Sequence, residues 1–262
     1  MLVRIDKDDL PLGCYQTEES VIELINLLNE RDIFHVHTYR CGHAGDELDE
    51  LYVQKAIELG AQGIVFTDHC PFPGNPFGNR MDIEELPEYI ATLKDLKEKY
   101  AGQIDVRIGL EVEYLPSYKE YYKQLYESKQ LDYMMIGQHF YEKTDGGYSF
   151  SDKDKSREFV GLCDAIVEGI KTGFFNVVAH PDRSFRGCKE WTQEMQVVAD
   201  QIIQAAREHG VALEENYASK RKDRQYWEQF WINTTNMYIR KGCDAHSVAE
   251  MEERWKQIVG RR

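Results

Sequence analysis

The sequence predicts an α/β fold built on a parallel barrel, on two observations. Seven strand-like segments alternate with helical ones, and the length of 262 residues is roughly what one barrel unit uses. The alternation by itself leaves an open two-sided sheet as an alternative. Residues 17–30 begin with the polar Thr17-Glu18-Glu19-Ser20 and carry Val21, Ile22, Leu24, Ile25, Leu27 and Leu28 at helical spacing. Residues 1–30 are therefore expected to form an N-terminal helical extension. Ile33-Phe34 leads into the first strand, in which His35 and His37, two positions apart, share one face. Leu48, Leu51, Tyr52, Ala56 and Leu59 then mark a helix that Gly60 stops, and Gly63 to Thr67 is the apolar run of a buried second strand. Cys70 to Arg80 contains three of the seven prolines together with Gly74 and Gly78, the composition of a long ordered loop.

The remaining pattern reads as helix 82–100, strand 105–113, helix 117–128, strand 133–140, helix 155–172 and strand 175–179. It continues as helix 191–209, strand 211–216, helix 222–235, strand 237–243 and a last helix over 247–259. No linker or low-complexity segment interrupts it, so residues 1–262 are expected to form one domain.

Composition narrows the function classes. The chain carries 46 acidic against 32 basic residues, a formal charge of -14 that repels polyanions, and no nucleic-acid partner is expected. A small phosphorylated substrate stays compatible, because cations at the bottom of a pocket reverse the local potential. The first residues are charged, and no apolar run approaches the roughly 20 residues that span a membrane, so neither export nor membrane insertion is expected and the location is taken as cytoplasmic. The six cysteines lie far apart without paired spacing and read as reduced thiols, with Cys41 and Cys70 beside histidines and candidates to line a site. The oligomeric state is not legible.

The chemistry is carried by the ends of the strands. His35 and His37 end the first, followed by His43 in the next loop; His69 stands in Thr-Asp-His, Glu111 in Gly-Leu-Glu-Val-Glu and His139 in Ile-Gly-Gln-His. His180 lies in Ala-His-Pro-Asp, and Asp244 and His246 in Cys-Asp-Ala-His. Seven of the eight histidines fall at these ends or in the loops just after, and only His209 does not. In barrels this is where functional residues collect, and scattered structural histidines do not track strand ends, so the set reads as a joint metal site.

With these motifs the chain resembles the polymerase and histidinol phosphatase (PHP) family, most of all its stand-alone histidinol-phosphate phosphatase branch. His-Val-His-Thr with Cys-Gly-His-Ala, Thr-Asp-His-Cys-Pro-Phe-Pro, Gly-Leu-Glu-Val-Glu-Tyr, Ile-Gly-Gln-His-Phe, His-Pro-Asp and Asp-Ala-His carry the resemblance over residues 34 to 246. It implies a distorted (β/α)7 barrel with a trinuclear metal site at the carboxyl ends of the strands. It also implies the ligands: His35, His37, Glu111 and Asp244 on a first ion, Glu111 bridging to a second held by His139 and His180, and His43, His69 and His246 on a third. Nitrogen and oxygen donors of this kind suit zinc, manganese or iron.

The reaction implied is hydrolysis of a phosphomonoester, most specifically L-histidinol phosphate in histidine biosynthesis, with Glu111, Asp244 and His246 as the catalytic set. A bridged metal pair supplies hydroxide near neutral pH and clamps the oxygens of an in-line displacement. Arg183, Arg186 and Arg221 are the candidates to hold the phosphate by bidentate hydrogen bonds. Glu214 and Asn216, another i, i+2 pair, read either as a hydrogen-bonded strand end or as substrate contacts, and Asp68 and Asp182 as acceptors that orient an imidazole or as turn residues. The tract Tyr-Ala-Ser-Lys-Arg after Asn216 and the segment before the first strand depart from the branch's usual pattern. Three rivals stand beside this reading. One is a PHP phosphoesterase for other small phosphates or nucleotides. Another is an amidohydrolase, whose strand-end lysine is replaced here by Glu111. The third is a non-catalytic metal-binding module of the kind attached to polymerases, which often lacks ligands that this chain keeps.

Overall fold

A computed structural model describes residues 31–220, 228–232, 234 and 237–260. Seven strands, β1 (Asp32–Val36), β2 (Gly63–His69), β3 (Asp105–Val112), β4 (Tyr133–Ile136), β5 (Val177–Val178), β6 (Ala212–Asn216) and β7 (Ile239–Gly242), pair in sequence order, every neighbour parallel. The sheet closes on itself. Cys243 N donates to Phe34 O at 2.7 Å, His37 N to Ala245 O at 2.8 Å and Ala245 N to His35 O at 3.2 Å, which ties the segment after β7 to β1. This closure decides for the barrel over the open sheet.

The connections are α1 (Asp49–Glu58), α2 (Leu86–Lys99), α3 (Lys119–Glu127), α4 (Glu158–Lys171), α5 (Gln193–His209), the short α6 (Tyr217–Lys220) and α7 (Glu228–Trp231), and the terminal α8 (Val248–Val259). Local signals set the helix ends. Thr192 and Ser247 accept hydrogen bonds from Met195 N and Glu250 N at the starts of α5 and α8, and Gly210 ends α5 in the left-handed region at φ 66°. The expected helix over 17–30 lies outside the described residues, as does most of that over 222–235, of which Glu228–Trp231 is observed.

Alternation along the strands splits the apolar side chains into two cores. Ile33, Ile64, Phe66, Ile136, Val178 and Leu213 pack outward against the helices. Phe34, Val65, Tyr133, Met135, Val177, Ala179 and Ala212 fill the barrel's interior. Beneath them the interior is closed by charge: Arg107 Nη1 donates to Asp32 Oδ2 at 2.7 Å, Arg240 Nη2 lies 3.5 Å from the same oxygen, and the Arg240 guanidinium stands 4.8 Å from the Phe34 ring centroid. With its lower end plugged, the barrel leaves only its carboxyl end for a site.

Three strands are shorter than the apolar pattern predicts, β7 covering only Ile239–Gly242 of the expected 237–243. β4 stops at Ile136 because Gln138 replaces the ladder: its amide accepts from Tyr114 N at 2.9 Å and donates to Phe140 O at 2.6 Å. β5 is only Val177–Val178, and two residues on the chain turns left-handed at His180, φ 30°. Among the described residues no helix is long and apolar enough to cross a membrane, and Cys41, Cys70, Cys163, Cys188 and Cys243 are free thiols.

Phe34→Ala should cost about 3–5 kcal/mol of unfolding free energy, because it empties the centre of the inner core and strips the Arg240 guanidinium of its ring. Urea denaturation measures it, and a loss below about 1 kcal/mol would contradict the two-core description.

Candidate metal centre

Glu111, near the end of β3, is the hub, and its two oxygens face different partners. Oε2 lies 3.5 Å from His35 Nε2, 3.4 Å from His37 Nε2 and 3.2 Å from His69 Nδ1; Oε1 lies 2.7 Å from His180 Nε2 and 3.8 Å from His139 Nε2. Gly137 makes this possible, since a Cβ there would collide with the Glu111 side chain. Asp244 completes one side, with Oδ1 3.7 Å from His35 Nε2 and 3.6 Å from His37 Nε2.

His35 and His37 meet, Nε2 to Nε2 at 2.9 Å, by a route different from regular strand alternation. Phe34 and His35 stand together opposite Val65, a bulge, and His35 adopts φ 68°. His180 and Asp244 are likewise left-handed, at φ 30° and 49°. Strained backbone of this kind persists only where its surroundings over-determine it, and here three of the strand-end donors share it.

His43 and His246 lie to one side, ring centroids 4.6 Å apart, with His43 5.3 Å from His69 and His246 stacked 4.3 Å from His37. His37 thus stands between the two halves of the site, and ring nitrogens of His37, His69 and His246 lie within 4.8 Å of one another.

A layer of hydrogen bonds aims the rings. Glu214 Oε1 accepts from His35 Nδ1 at 2.6 Å, Glu113 Oε1 from His139 Nδ1 at 2.9 Å, and the Cys41 carbonyl from His43 Nδ1 at 2.9 Å. A carboxylate or carbonyl only accepts, so each of these rings carries a proton on Nδ1 and turns Nε2 to the centre. Glu214 Oε2 also accepts from His180 N at 2.9 Å and Asn216 Nδ2 at 3.1 Å, while Asn216 Nδ2 reaches Asp244 Oδ2 at 3.2 Å. Glu214 and Asn216 are therefore the hydrogen-bonded strand end, not an open substrate surface.

The sequence reading missed two members of this layer. Arg80, from the loop after β2, donates to both oxygens of Glu113 at 2.8 and 3.3 Å and so charges the carboxylate that holds His139. Glu113 had a signal, being i, i+2 from Glu111; Arg80 had none.

Other expected residues fall as follows. Asp68 does not orient an imidazole: it accepts from Thr38 N at 2.8 Å and Thr38 Oγ1 at 2.7 Å, holding the turn after His37. Asp182 is buried in the turn Pro181–Phe185 and Cys70 beside His69. Arg183 is mostly buried and donates to Asp244 Oδ2 at 2.5 Å, Ser219 Oγ at 2.9 Å and Asn216 Oδ1 at 3.3 Å, at the edge of the centre. Arg186 is exposed, with one long bond of 3.4 Å to His139 O, and Arg221 lies outside the described residues.

The electrostatics suit cations. Burial opposes a charge on His35, yet Glu214, Glu111 and Asp244 hold its pKa well above the usual value, so the field there favours positive charge. Burial would protonate Glu111 and Asp244, but His35 beside Glu111, and Arg183 with His35 beside Asp244, hold both well below the usual carboxylate range. Burial pushes His69 down to about 3 and, with Arg183, His180 to about 4, which leaves neutral rings with lone pairs to donate. A tetrahedral ion with ligands at 2.0–2.1 Å sets them about 3.4 Å apart. The distances from His35 Nε2 and His37 Nε2 to each other and to the Glu111 and Asp244 oxygens, 2.9 to 3.7 Å, match that spacing. Among the described residues, buried His37 Nδ1, His69 Nδ1 and His246 Nε2 have no hydrogen-bond partner. The donor set suits metal binding.

A PHP domain signature matches residues 34–218. The chain belongs to the PHP domain family. It is 34% identical over 160 residues to a "Probable histidinol-phosphatase" of Deinococcus radiodurans (56% of this chain, 59% of that one) and 30% identical over 142 residues to a histidinol-phosphatase of Bacillus subtilis (50% and 53%). The matched stretches thus span 53 to 59% of the length of these relatives. The fold is shared with the histidinol phosphate phosphatase of Lactococcus lactis subsp. lactis, solved with zinc, L-histidinol and phosphate (TM-score 0.67, 20% identity, 88% of this chain and 93% of that one). The PHP motifs of this chain are the same strand ends that converge on Glu111.

Within the PHP centre, Glu214→Ala should weaken divalent metal binding about 10- to 100-fold by releasing the His35 ring. Chelator competition measures it, and unchanged affinity would show that Glu214 does not orient His35.

Proposed function

We propose that the chain is a metal-dependent phosphomonoesterase acting on L-histidinol phosphate in histidine biosynthesis. One observation carries the chemistry: Glu111 divides its oxygens between two groups of imidazoles, as a carboxylate bridging two ions must. The names of the aligned relatives and the ligands of the Lactococcus structure support the substrate.

The residues divide into three sets. His35, His37, Glu111 and Asp244 hold the first ion, Glu111, His139 and His180 the second, and His43, His69 and His246 the third, with zinc, manganese or iron as the metals their donors suit. When bound, the ions supply a water activated near neutral pH and positive charge facing the phosphate oxygens. Glu111 and Asp244 keep the centre anionic enough to retain several dications, and the Glu214, Glu113 and Cys41 carbonyl acceptors keep the rings from rotating. Of Arg183 and Arg186, Arg183 is the better placed to hold the phosphate, since its guanidinium borders Asp244, and Arg221 stays a candidate. The exposed Arg186 could reach a ligand only from the rim. His246, stacked on His37 and with Nδ1 3.3 Å from the Asp244 carbonyl, belongs to the third set and, with Glu111 and Asp244, to the catalytic set.

The acidic surface favours this substrate over polymers, because histidinol phosphate carries an amine and a protonatable imidazole. The discriminating measurement is kcat/KM on histidinol phosphate, simple sugar phosphates and a dinucleotide. Histidinol phosphate is expected to lead, and a tenfold or larger preference for another ester, about 1.4 kcal/mol, would move the assignment to a different small phosphate or to nucleotides.

A second outcome separates chemistry from scaffold. Glu111→Gln should lower turnover at least about 100-fold, as it removes the central charge, whereas His209→Ala, exposed at the end of α5, should leave turnover within about twofold. Equal losses in the two variants would refute the central role of Glu111.

A further inference from the structure

The loop after β1 places a sulfur among the imidazoles. Cys41 Sγ lies within 4.8 Å of ring nitrogens of both His43 and His246, which are themselves that close to each other. The same sulfur also groups with His37 and Asp68 within that limit. Cys41 is fully buried and has no disulfide partner among the described residues, so neither solvent exposure nor cross-linking accounts for its position.

The surrounding turn is built to point this sulfur at a site. Tyr39–Cys41 forms one 3-10 turn, closed by Gly42 N donating to Tyr39 O at 3.1 Å, and Gly42 takes φ 74° so that the chain doubles back. The His43 ring is held by the Cys41 carbonyl, so the two donors move as one unit. Arg40 anchors the turn from behind, through two bonds of 2.8 Å to Asp49 and one of 3.1 Å to Glu88.

From this geometry we infer that Cys41 is a thiolate ligand of the third ion, joining His43 and His246. The inference rests on the three-ion reading above. It makes one of the three sites chemically unlike the others, because a soft thiolate favours zinc or ferrous iron over manganese, whereas the Glu111 sites offer only nitrogen and oxygen. A coordinating cation deprotonates a thiol outright. The centre would therefore carry two exchangeable positions and one that retains zinc.

The test needs no substrate. X-ray absorption at the zinc edge of the zinc-loaded full chain should require a sulfur scatterer at about 2.3 Å. A spectrum fitted by nitrogen and oxygen alone overturns the inference, and this measurement depends on no variant. Cobalt(II) substitution should give a near-ultraviolet thiolate-to-metal charge-transfer band that Cys41→Ser abolishes and Cys70→Ser, buried beside His69, retains. A band that survives Cys41→Ser, with circular dichroism showing the variant folded, overturns it as well. In zinc-loaded protein challenged with excess manganese, Cys41→Ser should release one zinc at least tenfold faster than the unaltered chain, and equal release counts against the ligand. The two proposals fail separately: hydrolysis of histidinol phosphate without a sulfur shell removes only Cys41, and a sulfur shell without that hydrolysis removes only the substrate assignment.

Discussion

A single ionised carboxylate, Glu111, is 1% exposed in the interior of the barrel's carboxyl end and faces five imidazoles within 3.8 Å. An uncompensated charge in such a place costs several kcal/mol, so the positions of those rings are a condition for Glu111 to be there at all. The condition propagates outward. Residue 137 must be glycine to admit the carboxylate, β4 must end at Ile136, and His139 must come from a loop instead of a strand. The rings in turn need acceptors behind them, which brings Glu214, Glu113 and through Glu113 the loop arginine Arg80 into the same network.

The backbone shows what this convergence costs. His35, His180 and Asp244 occupy left-handed conformations that side-chain-bearing residues rarely adopt, and each adjoins the closure or the Glu214 network. The bulge at Phe34–His35 is where β1 abandons regular pairing with β2, yet the same segment gains its bonds to residues 243–245. Barrel closure and presentation of donors are thus one event. The lower half of the barrel is organised differently, with an apolar inner core over the Asp32, Arg107 and Arg240 cluster. Stability resides mostly below and strain above, the usual division between scaffold and site.

Charge follows the same division. The chain as a whole is strongly acidic, but around Glu111 seven histidines and Arg183 gather near a few carboxylates, so the site can bind cations and, through them, an anion. Arg183 neutralises part of Asp244 and stands at the edge of the centre. His35 and His139 each have a partner in both directions, Glu111 inward and Glu214 or Glu113 outward.

Much of this was legible in the residues alone. The seven strands and most helices follow from apolar periodicity, and the nine candidate donors stand out by their places at strand ends or in the loops just after, because which residue types recur at which spacing is a property of the chain. What the sequence could not determine is direction. An i, i+2 spacing assigns two side chains to one face of a strand, yet His35 and His37 meet through a bulge and a left-handed residue, which no spacing encodes. Asp68 adjoins His69 in sequence but bonds to Thr38, and Arg80 carries no local signal although it supports His139 through Glu113. The third group is also looser than a set of three histidines suggests, with His37 between the halves and Cys41 beside His43. The sequence by itself determined the kinds of donor and their order along the barrel. The tertiary structure alone decided which oxygen faces which ring, because that depends on where seven strand ends point once the sheet has closed.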